Sequence, residues 1–173
     1  MSGSDLLETI RTRRSIRSYT PEEIPEELVD ELIEALIWAP SSGNYQCRKF
    51  FFVRRPEVRR QLEDACFNHD WIAQAPLAVV CCLDRKIEEH YGEGAAPFAI
   101  QDVSASIENM LLLANDRGLG SCWVCAWDTE RVREILQIGP ELDLVALVTV
   151  GYPAESPAPT ERVSRDEAVT FID

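Results

Sequence analysis

Residues 98–118 read FAIQDVSASIENMLLLANDRG, a run without proline whose only glycine is its last residue. Ile100, Val103, Ile107, Met110, Leu111, Leu112 and Leu113 recur at spacings of three and four, the period of an α-helix, and Gly118 supplies a stop. These apolar positions cover more than one stripe of the helix. A helix apolar on several sides is expected either to be buried centrally in the fold or to lie at a subunit interface.

Working outward, KFFFV (49–53) and LAVVCCL (77–83) read as strands, with a helix over about 56–66 between them. On the other side SCWV (121–124) and LVALVTVGY (144–152) supply two more strands, separated by a helix that Asp128 can cap. Towards the amino end, Ser4 is placed to cap a helix carrying Leu6, Leu7 and Ile10 that ends near Arg13 or Arg14. A second helix follows from Pro25, Glu26 and Glu27 in its first turn, runs through Leu28, Val29, Leu32, Ile33, Leu36 and Ile37, and stops at Pro40. APSSGNYQ (39–46) is then a loop, and YPAESPAP (152–159) leads a C-terminal arm. The pattern is α+β, in one domain spanning 1–173.

Composition agrees with one globular unit: 173 residues, 46% hydrophobic and 27% charged. A formal net charge of −13 opposes nucleic-acid or anionic-membrane binding, which needs an extended positive surface. No apolar run approaches the roughly 20 residues of a membrane helix, and no signal-peptide pattern precedes the first helix. The expected compartment is the cytoplasm. Six cysteines, including the adjacent Cys81 and Cys82 in apolar surroundings, fit buried thiols in a reducing environment.

Against the acidic background, RTRRSIRSY (11–19) places four arginines within seven positions. They can simply complement the dipole of a helix end. Arg13, Arg14, Ser15 and Arg17 also form a donor set of guanidinium forks and a hydroxyl that suits a phosphate monoester. There is neither a Walker loop nor GxGxxG, so any phosphate is held by side chains. CWVC (122–125) has the spacing of a redox dithiol or half a zinc site, but it lies in a strand-like run, where residues three apart face opposite sides. Core thiols are the expected reading, and no metal site is expected. Asp102 and Glu108, on the long helix, are expected to make structural hydrogen bonds or face solvent.

RRSIRSY (13–19), WAPSSGNYQ (38–46), FNHDWIAQAPLAVVCCLD (67–84), AIQDVSASIENMLLLANDRGLGSCWVCAWD (99–128) and VALVTVGYP (145–153), taken in order, resemble the nitroreductase family over nearly the whole chain. The resemblance implies a central, mostly antiparallel sheet wrapped by helices, in an intertwined homodimer with FMN at the interface. It assigns Arg13, Arg14, Ser15, Arg17 and Arg162 to the phosphate and ribityl end of FMN. Pro40, Ser41, Ser42 and Asn44 would contact the flavin bound mainly by the other subunit, Asn68 would sit near the polar edge of the ring, and the backbone of Cys125 and Ala126 would approach N5.

The implied activity is transfer of hydride from NADH or NADPH through FMN to a small organic acceptor such as a nitro compound or quinone. Flavin would carry the chemistry, with no catalytic side chain or metal. Dehalogenation or flavin fragmentation on the same fold, and a non-catalytic flavin-binding module, are the alternatives. Two departures from the family pattern stand out. Cys47 occupies a position where the family commonly has proline, and the Tyr91–Phe98 stretch is short, which implies an open acceptor site.

Overall fold

The computed structural model describes residues 5–172. Helix α1 spans Leu6–Thr12 and α2 spans Glu26–Ile37, followed by strand β1 (Arg48–Val53) and helices α3 (Pro56–Ala65) and α4 (Trp71–Gln74). Strand β2 (Leu77–Asp84) leads through α5 (Ile87–Tyr91) to the long α6 (Ala96–Asp116). Strand β3 (Gly120–Val124), α7 (Thr129–Leu136), β4 (Leu142–Gly151) and a short α8 (Arg165–Ala168) complete the order. The four strands form one sheet in the order β1-β2-β4-β3, every pair antiparallel.

β2 explains why LAVVCCL lacks polar alternation: both of its faces are covered. Leu77, Val79, Cys81 and Leu83 pack with Val103, Ile107 and Met110 of α6. Ala78, Val80 and Cys82 pack on the opposite face with Leu62, Ile72 and Val132 of α3, α4 and α7. Two cores thus share one strand, and each fully buried Leu, Ile or Met contributes about 1.5–3 kcal/mol.

Capping follows local chemistry, with one change from expectation. Ser4 lies outside the described residues, and Asp5 caps α1 by accepting from the Leu7 amide at 3.1 Å. Asp128 caps α7 as expected, accepting from the Arg131 amide at 3.0 Å. Pro25 occupies the N-cap of α2. The C-terminal arm holds a capping box between Ser164 and Glu167.

The long helix is less enclosed than its composition implies. Val103, Ile107, Met110 and Ala114 are buried against the sheet and α2, but Phe98 and Ile100 are each 44% exposed. Beside this open side, Trp38 is 78% and Leu6 65% exposed, with Leu7 and Ile10 about half exposed. In a single chain α6 therefore has one covered side and one bare side, so central burial accounts for only part of its apolar surface.

Candidate functional site

After α1 the backbone turns extended at Arg13, and residues 15–20 run beside the far edge of the sheet. The Ile16 amide donates to Ser121 O at 2.9 Å, and Thr20 and Tyr152 are joined in the same way at 2.9 Å. Gly120 permits this approach, because a Cβ there would meet Ile16 Cγ1 at 2.7 Å. Tyr19 locks the segment: its hydroxyl lies 2.7 Å from Thr149 Oγ1 and donates to Ile16 O at 2.7 Å, and burial holds its pKa well above the usual range. The arginines are thereby fixed beside the start of β3.

A cavity of about 270 Å³ is lined by Arg13, Arg14, Ser15, Arg17, Thr160 and Arg162, so the C-terminal arm brings a fourth arginine to the three near α1. Arg162 is anchored on Thr160 and Glu161, donating to Glu161 O at 3.0 Å. Arg14 donates to Arg11 O at 2.7 Å and Arg13 O at 2.8 Å, while its buried Nε has no partner. The Arg17 guanidinium lies 5.7 Å from the centre of the Trp71 ring, and Trp71 stacks on His69 at 4.4 Å. The Glu155 carboxylate, which lines the adjoining hollow with Arg13 and Arg14, accepts from the Arg17 backbone amide. Four arginines and a serine lining one cavity are the kind of donor set that a phosphate-like anion needs.

Two other expected site segments lie at the opposite end of β3. Cys125 and Ala126 are exposed immediately after its last residue. The Asp128 amide donates to Ala65 O at 2.8 Å, which joins this segment to the end of α3 and the turn carrying Asn68. Asn68 is exposed, and both it and Phe67 adopt left-handed backbone, φ 59° and 58°. From Ser121, bridged to Ser15, to Cys125 the strand rises about 13 Å, the scale of an extended ligand. The expectation of core thiols fails in part here: Cys122 is buried but Cys125 is exposed, because the sheet ends at Val124.

Pro40, Ser41, Ser42 and Asn44 do not join the arginines. Ser42 binds Asp102 near the start of α6, whereas Asn115, near the helix end, lines a hollow with Thr12, Arg13 and Arg14. Thirteen residues of helix separate the two, a rise of about 20 Å. The loop is a single tight turn, with Gly43, Asn44 and Gln46 at φ 55°, 58° and 55°. A Cβ on Gly43 would meet the Tyr45 ring and the Tyr91 hydroxyl at 2.6 Å. Ser41 Oγ accepts from the Gln46 amide at 3.1 Å. Cys47, just beyond, is buried, and burial together with the charge of Asp84 pushes its thiol pKa up.

Asp102 makes the structural hydrogen bonds expected of it, and Glu108 faces solvent. Sequence reading did not find Trp71, Thr160 or Arg48 as parts of these two regions. Thr160 could have been suspected from its place two residues before Arg162. Trp71 and Arg48 carry no spacing signal and are brought in only by the fold.

The profile of the Nitroreductase family matches residues 10–81 and 66–152 of this chain. A Thermus thermophilus protein named NADH dehydrogenase is 32% identical over 188 residues, covering 92% of each chain. A Bacillus subtilis protein named FMN reductase [NAD(P)H] is 25% identical over 179 residues, covering 94% of this chain and 72% of its own length. A solved structure of a nitroreductase family protein from Clostridium novyi superposes with a TM-score of 0.81 at 26% identity, covering 89% of this chain and 88% of that one.

Proposed function

This chain belongs to the nitroreductase family, and from that membership we propose that it is an FMN-dependent oxidoreductase that takes hydride from NADH or NADPH and reduces a small organic acceptor such as a nitro compound or a quinone. The observation that carries this reading is the convergence of Arg13, Arg14, Arg17 and Arg162 with Ser15 on one cavity. The fit to FMN is chemical: a phosphate monoester needs several charged donors, and the unpartnered buried Nε of Arg14 is one donor the protein itself leaves unused. FMN, when bound, supplies the redox chemistry, accepting hydride from the nicotinamide and returning electrons to the acceptor.

The side chains bind and orient. Arg13, Arg14, Ser15, Arg17 and Arg162 hold the phosphate end; Asn68 and the amides of Cys125 and Ala126 face the ring edge at the other end of β3. Pro40, Ser41, Ser42 and Asn44 lie about 20 Å along α6 from the arginine end, and in keeping with the family resemblance they complete the site of a second copy in an intertwined homodimer. The bare side of α6 with Trp38 and Leu6, and the exposed Val163, Phe171 and Ile172 of the C-terminal arm, are the surfaces such a dimer would cover. No helix among the described residues is long and apolar enough to cross a membrane. Tyr45, Tyr91 and Phe98 are all about half exposed next to the loop, which suits access by flat acceptors.

The test is the absorbance spectrum of the purified chain, the mass of any released cofactor, and anaerobic mixing with NADH or NADPH. The expected result is an FMN spectrum that bleaches on mixing and returns with menadione. A protein that binds no flavin, or binds FMN without reduction by either nicotinamide, overturns the reading.

A further inference from the structure

We propose that Arg48, Asp102 and Ser106 are positioning residues that fix the shape of the Pro40–Asn44 loop and set flavin affinity through it without touching the cofactor. The inference rests on the flavin-facing role of that loop argued above. Its basis is a continuous set of hydrogen bonds linking three separate elements to one short segment.

The last carbonyls of α2 need donors, and its final turn contains no basic residue. Arg48, at the first position of β1, supplies them from outside: it donates to Ile37 O at 2.8 Å, Ala39 O at 2.9 Å and Pro40 O at 3.3 Å. The same guanidinium donates to Ser106 Oγ at 2.9 Å, and the Ser106 hydroxyl donates in turn to Asp102 O at 3.1 Å. Ser106 is fully buried. One turn back on α6, the Asp102 carboxylate accepts from the Ser42 amide at 3.0 Å to each oxygen, and from Ser42 Oγ at 3.0 Å.

Asp102 is only 5% exposed, and among the described residues no cation pairs with it directly. Ser42 is therefore its principal hydrogen-bond partner, and a buried carboxylate left with less than that would be costly. Burial pushes the Arg48 guanidinium pKa down, while the negative charge of Asp102 acts the other way, so the two ends of the network support each other. The segment they grip includes Gly43 and Asn44 in left-handed backbone, which a free loop would leave readily. Fixing the loop at both Pro40 and Ser42 is what keeps it in that shape.

The experiment is titration of FMN fluorescence with the full chain, alongside circular dichroism, the thermal midpoint and the spectrum of bound flavin. Asp102→Ala and Arg48→Met should each raise the FMN dissociation constant about tenfold or more and alter the bound-flavin spectrum. Arg48→Lys should recover only part, because an ammonium cannot reach all the acceptors of the planar fork. Asn109→Ala is the control: it removes a bond from α6 to Ala35 O but none to the loop, and should lower the thermal midpoint with unchanged affinity.

A folded Asp102→Ala or Arg48→Met protein with wild-type FMN affinity overturns the proposal, as does an equal loss of affinity in Asn109→Ala. If the severe variants do not fold, Asp102→Asn and Arg48→Lys decide by the same criterion, with a rise of about threefold expected from their smaller change. Wild-type protein that binds no FMN defeats the functional reading itself. Tight wild-type binding with unaffected variants defeats only the positioning role.

Discussion

The arginine cradle beside β3 and the loop after α2 are both short polar segments that follow a helix, yet they are held in opposite ways. In the cradle, Arg13 and Arg17 have no hydrogen-bond or ion-pair partner for their guanidinium groups among the described residues, and Arg14 keeps one donor buried and unused. In the loop, Ser41 and Ser42 are bonded within the chain and the preceding carbonyls are collected by Arg48. A segment with spare donors can add binding energy when an anion arrives. A segment already satisfied adds shape. The two contributions to one proposed flavin site thus come from opposite ends of α6, and in the dimer reading from different subunits.

The strongest way to break this comparison is to damage one region in each of two chains. Arg17→Ala and Asp102→Ala homodimers should each bind FMN poorly, whereas a mixed dimer places both defects in one site and leaves the other intact. About one tightly bound flavin per mixed dimer is expected, measured by equilibrium dialysis of doubly tagged protein. No recovery in the purified mixed species would mean that both regions serve the same chain's flavin. Within the cradle alone, Arg13→Ala or Arg17→Ala should weaken FMN binding by about 1.5–3 kcal/mol, tenfold to a hundredfold. Undiminished flavin retention by both would remove the cradle from the site.

A third test concerns the far end of β3. If the amide of Cys125 matters and its sulfur does not, Cys125→Ser should keep most menadione reduction. Cys125→Pro, which loses the N–H, should fall by about tenfold in a protein that still holds flavin. Loss of nearly all activity in a folded, FMN-loaded Cys125→Ser protein would shift the role to the thiol. The smallest effect is expected at the α7 cap: Asp128→Ala should lower stability by about 1 kcal/mol in denaturant melts, with FMN affinity unchanged. A matching drop in affinity would tie that helix to the site more closely than its contacts do.

How much could be read from sequence followed the range of the interactions. The long helix, both helices before β1 and all four strands were legible because periodicity and punctuation are local. The short α4, α5 and α8 were not, since four or five residues leave no period to detect and such turns are held by what surrounds them. The two-sided burial of β2 was implicit in its unbroken apolar run, but not which residues served which face. Which side of α6 stays bare was not legible, because its apolar residues cover more than one stripe and the groups that bury one side come from distant segments. In the site, the arginines near α1 were conspicuous by charge. Arg48 was not, because the carbonyls it gathers are eight to eleven residues away in sequence and meet it through a strand edge.

β2 also equips the chain with a pair of neighbouring reporters. Cys81 faces the α6 side of the sheet and Cys82 the side of α3 and α7, and both are fully buried. Burial pushes the Cys82 thiol up to about 12 and Cys81 well above its ordinary value, so at neutral pH neither is a nucleophile until its own side opens. Adjacent in the chain, they sense different halves of the interior. In slow alkylation under native conditions, equal rates would mean that the two layers come apart together, and unequal rates would identify which half of the protein loosens first.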